Sequence, residues 1–205
     1  TTVDSTGSVG EYTSITIGAD GFPVISYFDD ETDDLKVAKC GNAACSSGNT
    51  LTTVDSTGSV GYYSSITIGV DGLPVISYWD GTNADLKVAK CGNAACSSGN
   101  TLTTVDSTGS VGEYTSITIG VDGLPVISYW DGTNADLKVA KCGNAACSSG
   151  NTLTTVDSTG DVGYNGSITI GVDGLPVISY KDGTNTDLKV AKCGSDYCLS
   201  YWTRR

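Results

Sequence analysis

The chain repeats itself every 51 residues. Copies run over 1–51, 52–102, 103–153 and 154–205, and the second and third differ only at Tyr62 against Glu113 and Ser64 against Thr115. A unit this short cannot bury its apolar face alone, so neighbouring units must stack to share a core. The spacing therefore predicts one repeat domain over 1–205 in preference to a string of separate modules. The first and last copies diverge most, as terminal repeats usually do.

The third copy shows what each unit contains. "SITIG" (116–120) alternates Ile117 and Ile119 with small polar residues, the pattern of a half-buried strand. Asp122-Gly123 follows as a hairpin signal, and "PVISYWD" (125–131) opens on Pro125, where a strand tolerates proline. "GTNA" (132–135) is turn chemistry, and "DLKVAKC" (136–142) is a third strand with Leu137 and Val139 on one face. "NTLTTVDST" (151–159) is a thinner, more polar fourth strand. No segment carries a helical period. The expected fold is all-β: a β-propeller of four four-stranded antiparallel blades, one per repeat. A parallel β-helix is the weaker alternative, because its coils are shorter and need no hairpins.

Residues 1–6, "TTVDST", match in phase the strand that would follow the last cysteine loop. They are expected to complete the last blade as an N-terminal strand, closing a ring within one chain. The same strand could instead complete the last blade of the next chain, giving a larger ring or a head-to-tail filament. The first copy is the most acidic and the last the least, which weakly favours contact between them.

Eight cysteines recur with the repeat as Cys40/Cys45, Cys91/Cys96, Cys142/Cys147 and Cys193/Cys198. One C-x4-C disulfide per blade is the expected arrangement, clipping the weak fourth strand to the third. It places the protein outside the cytoplasm, secreted or at the cell surface. The rival is zinc held by four thiolates of two neighbouring repeats, although no histidine helps and the spacing is wider than common zinc motifs. A net charge of −12 argues against nucleic acid or anionic lipid as partner, and no apolar run is long enough to span a membrane. No signal peptide precedes the repeats, as expected of a mature or trimmed product.

Asp29, Asp30, Glu31, Asp33 and Asp34 crowd one loop of the first copy and are the candidate calcium ligands. The competing reading is a turn, since the loop has Asp-Gly-Thr-Asn at the same phase in the other copies. No other cofactor is expected. Trp79 and Trp130, at the phase of Phe28 and Lys181, are either inter-blade core or faces on which sugars stack. Tyr12, Tyr63 and Tyr114 fall in a Gly-Ser stretch before the first strand and read as an exposed ligand-binding rim, interrupted by Asn165. The recurring lysines, such as Lys87 and Lys90, read as solvated or paired with local aspartates. Without histidine there is no Ser-His or Cys-His nucleophile, so catalysis is not expected.

"DGLPVISYWDGTNADLKVAKC" resembles the repeat unit of secreted bacterial multi-repeat proteins that are propeller-like. It is also loosely similar to sialidase-type propellers, whose arginine triad has no counterpart: the arginines here are Arg204 and Arg205. The resemblance implies a propeller in an extracellular setting and no activity. The expected function is a non-enzymatic extracellular structural or binding module. The alternatives are a self-assembling filament subunit, with the chain itself as partner, and a repeat lectin. Other expected partners are glycans or a cell-surface protein.

Overall fold

The computed structural model describes residues 1–199. The first repeat contributes β1 (Val9–Ile17), β2 (Pro23–Asp29), β3 (Asp34–Lys39) and β4 (Thr50–Asp55). The second contributes β5 (Val60–Ile68), β6 (Pro74–Asp80), β7 (Asp85–Lys90) and β8 (Thr101–Asp106). The third contributes β9 (Val111–Ile119), β10 (Pro125–Asp131), β11 (Asp136–Lys141) and β12 (Thr152–Asp157), and the fourth β13 (Val162–Ile170), β14 (Pro176–Asp182) and β15 (Asp187–Lys192). Each repeat is its own antiparallel sheet with strands in chain order. The second strand of each sheet, rich in Val, Ile and aromatic residues, is buried on both faces in the middle repeats, as a blade sandwiched between blades must be. In those repeats the fourth strand is the most exposed of the sheet, in keeping with its threonines.

Three expectations are corrected in detail. The first strand begins at Val111 in the third repeat, well before "SITIG", because the Gly-containing stretch pairs with β10 through register shifts and not as a loop. The turn after it is wider than a two-residue hairpin: Gly120 N–H donates to the Leu124 carbonyl (2.9 Å), Leu124 N–H donates to Asp122 Oδ1 (3.1 Å), and Gly123 takes the φ of +80° that this path requires. The last sheet holds three strands among the described residues, and residues 1–6 are not one of its strands. The phase match was correct, but the hexapeptide lies instead against the first blade.

The blades are joined by three near-identical cores. Val24, Leu35, Val37 and Val54 of the first blade pack on Val60, Ile66, Ile76, Tyr78 and Ala89 of the second. The same positions recur between the second and third blades and between the third and fourth. Gly61 sits in this contact at a φ of +109°, and a Cβ there would lie 2.8 Å from Leu35 Cα. Only glycine lets the blades approach so closely.

An aspartate at the end of each fourth strand latches onto the next blade. Asp55 accepts from the Tyr78 hydroxyl at 2.7 Å and from the Lys87 ammonium at 2.6 Å. Asp106 does the same with Tyr129 (2.8 Å) and Lys138 (2.6 Å), and Asp157 with Tyr180 and Lys189. Asp4 makes the equivalent bonds to Tyr27 (2.7 Å) and Lys36 (3.0 Å). The hexapeptide thus occupies, beside the first blade, the place where a preceding blade's fourth strand would end.

All four expected disulfides form, Cys40–Cys45, Cys91–Cys96, Cys142–Cys147 and Cys193–Cys198, which removes zinc as the use of these sulfurs. Their expected role, a clip from the third strand to the fourth, is corrected. In the first three repeats the second cysteine stands before the fourth strand and not in it: β4 begins only at Thr50, β8 at Thr101 and β12 at Thr152. Cys45 (φ 51°), Cys96 (52°), Cys147 (53°) and Cys198 (52°) all take a left-handed backbone, which a strand does not use. The reason is local hydrogen bonding. Cys45 N–H donates to the Asn42 carbonyl, Cys96 to Asn93, Cys147 to Asn144 and Cys198 to Ser195, each at 3.0 Å. Each bridge therefore closes the connection between the strands on itself. Around Cys91–Cys96, Asn93 Oδ1 also accepts from the Ala95 and Ser97 N–H groups, and Asn100 joins Gly92 N–H to the Cys96 carbonyl. Cys91 and Cys96 are buried in the first inter-blade core, Cys142 and Cys147 in the second, and Cys193 and Cys198 in the third. Cys40 and Cys45 are buried too, on the first blade, which no described blade precedes.

Candidate functional site

The first strands β1, β5, β9 and β13 lie side by side from blade to blade: Ile66 N–H donates to Ser14 Oγ, Ile117 N–H to Ser65 Oγ and Ile168 N–H to Ser116 Oγ, each at 3.2 Å. Each of these strands carries a bulge at the same phase. At the bulge stand Tyr12 (φ 48°), Tyr63 (52°), Tyr114 (52°) and Asn165 (51°). A left-handed backbone is costly for a bulky residue and cheapest, after glycine, for asparagine. The surrounding sheet holds three tyrosines in it nonetheless.

The bulge turns these side chains together. Ring centroids of Tyr12 and Tyr63 are 4.7 Å apart and those of Tyr63 and Tyr114 are 4.5 Å apart. Tyr12, Tyr63, Tyr114 and Asn165, with Thr13, Ser64, Thr115 and Gly166, line an open depression of about 200 Å³. Burial, and next the charge of Glu11, raise the Tyr12 phenol; burial, and next the Tyr114 phenol, raise that of Tyr63. These hydroxyls are therefore neutral hydrogen-bonding groups at physiological pH. Burial also pushes the Glu113 carboxyl up. Beside the row, burial and the 2.7 Å bond to Asp161 push the Tyr164 phenol up to about 12.

Beneath the tyrosines runs a line of buried hydroxyl pairs between blades: Ser26 with Ser64 at 2.8 Å, and Thr115 donating to Ser77 at 2.7 Å. The next pair is broken. Gly166 stands where serine or threonine stands in the preceding repeats, and the buried Ser128 Oγ has no hydrogen-bond partner.

The tyrosines were expected on a loop at the rim; they stand instead on the first strands, where four repeats contribute to one shared site. Trp79 and Trp130 are elsewhere. Trp130 packs on Tyr164 of the next blade at 4.7 Å and Trp79 against Tyr62 at 5.6 Å, with both indole nitrogens buried and unpartnered. Both side chains are half-buried, each against a neighbouring ring, and neither belongs to the inter-blade cores. Among the described residues no three acidic or cysteine side chains converge as metal ligands. Asp29 accepts from the Glu31 N–H (3.1 Å) and pairs with Lys36 (3.2 Å), Asp34 accepts from Thr32 (2.9 Å), and Asp33 takes a φ of 60°. Asp30 and Glu31 are exposed beside them. The lysines are paired with aspartates as expected: Lys87 with Asp55 and Asp80, Lys90 with Asp71 at 2.8 Å. Asn165 and Gly166 were not expected in a site. The signal was present: the tyrosine series breaks at the residue type that best tolerates the bulge.

No family model matches the chain, and no curated protein matches it in sequence. Solved structures match it in fold. A protein of unknown function from Dyadobacter fermentans aligns with a TM-score of 0.67 at 13% identity, over 90% of this chain and 52% of that one. A family 43 β-1,3-galactosidase aligns at 0.61 and 11% identity, over 92% of this chain and 43% of that one. A thermostable family 43 glycoside hydrolase aligns at 0.56 and 11% identity, over 91% and 72%. The fold is that of a β-propeller. This propeller spans about half the length of the first two structures. Those of the family 43 type are five-bladed, and the described residues here form four blades. At such identities the likeness extends to architecture alone. No helix in the described residues is long and apolar enough to cross a membrane.

Proposed function

We propose that this propeller is a non-enzymatic extracellular binding module, and that the tyrosine-lined depression binds a neutral carbohydrate. The observation that carries the reading is the convergence of Tyr12, Tyr63, Tyr114 and Asn165 on one open surface, each held at a left-handed bulge. Non-glycine residues in this conformation concentrate where the side-chain direction matters more than the strain it costs. The site offers aromatic faces, neutral hydroxyls and one amide, the chemistry that recognises a sugar ring by stacking and hydrogen bonding. Its eight lining residues include no carboxylate, lysine or cysteine, so they serve to bind and orient. Glycoside hydrolysis needs a pair of carboxylates across the bond to be broken. Two of the matched structures are named as glycoside hydrolases, which fits a saccharide ligand without implying its cleavage here. The four disulfides support secretion. The reading replaces one shallow site per blade with one shared site.

The test is a neutral-glycan array followed by calorimetry on any hit. Binding should be saturable and 1:1, and Tyr63→Ala should weaken it at least tenfold while the fold is retained. Binding indifferent to Tyr63→Ala and Tyr114→Ala, or no binding to any glycan, refutes the site. Turnover of an aryl glycoside by the wild type, lost in Glu113→Gln, refutes the non-catalytic reading.

A further inference from the structure

The two end blades each carry one half of a further inter-blade core. In the three formed cores, Leu35, Leu86 and Leu137 are fully buried, as are Val37, Val88 and Val139. Their equivalents on the fourth blade, Leu188 and Val190, are 82% and 64% exposed. On the receiving side, Ile66, Ile117 and Ile168 are buried, whereas Ile15 of the first blade is 62% exposed. Gly61 would place a Cβ 2.8 Å from Leu35, and Gly112 one 2.6 Å from Leu86, yet nothing lies within 4 Å of Gly10. Beside Gly10 an apolar cavity of about 260 Å³ is lined by Val3, Val9, Ile25, Tyr27 and Ala38. Their counterparts Val60, Ile76, Tyr78 and Ala89 are the residues that receive Leu35 and Val37. The cavity is an unfilled seat for a leucine and a valine.

We propose that a second copy of this chain fills that seat: the fourth blade of one molecule docks on the first blade of the next. Charge at the contact fits this occupant. Along the formed interfaces, position 28 of one blade meets position 62 of the next, Phe28 on Tyr62 at 4.1 Å, and Trp130 meets Tyr164 at 4.7 Å. The same phase at the open ends holds Lys181 on the fourth blade and Glu11 on the first, both exposed and opposite in sign. The polar bonds also have their counterparts. Val60 N–H donates to the Asp33 carbonyl and Ile66 N–H to Ser14 Oγ. The end-to-end equivalents are Val9 N–H with the Thr186 carbonyl and Ile15 N–H with Ser167 Oγ. The contact is heterologous, so each copy keeps one face for the next and growth is head to tail. This proposal is independent of the carbohydrate site.

Sedimentation velocity and mass photometry across a concentration series test it. The wild type should shift from 20.9 kDa to multiples of that mass as concentration rises. Leu188→Lys and Ile15→Lys each spoil one face at an exposed position, so each alone should stay monomeric. Mixed together they should give a dimer and nothing larger, since one intact face of each kind remains. Lys181→Glu should weaken association about tenfold, and mixing it with Glu11→Lys should recover it. A wild type that is monomeric at every concentration, whether open or closed on itself, overturns the proposal. So does a Leu188→Lys and Ile15→Lys mixture that stays monomeric, or larger species that persist in both single variants.

Discussion

At the scale of single residues, the repeat acts as an internal control, because each position can be compared with its own copies. Ser128 is buried without a partner only because Gly166 replaces the hydroxyl of Ser64 and Thr115. A Cβ at Gly166 would stand 3.6 Å from Ser128 Oγ, and its backbone is not left-handed, so a side chain fits. Gly166→Ser should stabilise the protein by about 1 kcal/mol through the restored bond. Thermal unfolding should rise by about 2–4 °C, with Gly166→Ala as the control that lacks the hydroxyl. The latch aspartates make a second prediction. Burial alone would raise Asp55, Asp106 and Asp157, but the lysine and tyrosine hydrogen bonds outweigh it and hold these carboxyls below their usual range. A folded-state pKa below the unfolded value of about 3.9 adds stability that is complete above that value and is lost as the pH falls through the folded one. The urea midpoint should thus be flat near neutrality and fall steadily below about pH 4. Asp55→Asn, which leaves the largely buried Lys87 without its closest carboxylate, should cost about 3 kcal/mol and flatten part of that acid limb.

At the scale of the element, the disulfides of the second, third and fourth blades each close a short loop while placing both sulfurs in the core between blades. Replacing Cys91 and Cys96 together by serine should lower stability by about 2 kcal/mol from the loop alone, and further through the lost packing, as read by denaturant unfolding. Thiol titration of the unfolded wild type should find no free thiol before reduction and eight after it. The second and third strands of each blade were legible, the second from its continuous β-branched and aromatic run after Pro125 and the third from its alternating Leu137 and Val139, with bounds set by Asp131 and Lys141. The start of the first strand was not. "GSVGEYTS" has the composition of a loop, and the bulge that puts Tyr114 in a left-handed conformation interrupts the alternation by which strands are recognised. The pairing of the cysteines was likewise legible from spacing, whereas the left-handed turn that keeps Cys45, Cys96 and Cys147 out of the fourth strand was not. The candidate site was therefore half visible: its tyrosines stood out by phase, while their convergence depends on a bulge that composition conceals.

At the scale of the whole molecule, periodicity gave the architecture and could not give the closure. Residues 1–6 do carry a preceding blade's signature, down to the Asp4 latch on Tyr27 and Lys36. They do not also pair with β15; such closure depends on how far each blade turns from the last, an angle set by side-chain packing and not by the phase of the repeat. The apolar seats between blades are built from the same residues in the same order, so none of these cores is keyed to one particular neighbour. A gene carrying such repeats can gain or lose one by unequal recombination and still encode blades that fit, because every new junction reuses an existing one. Variation in blade number is thus open to this architecture without the redesign of its apolar cores.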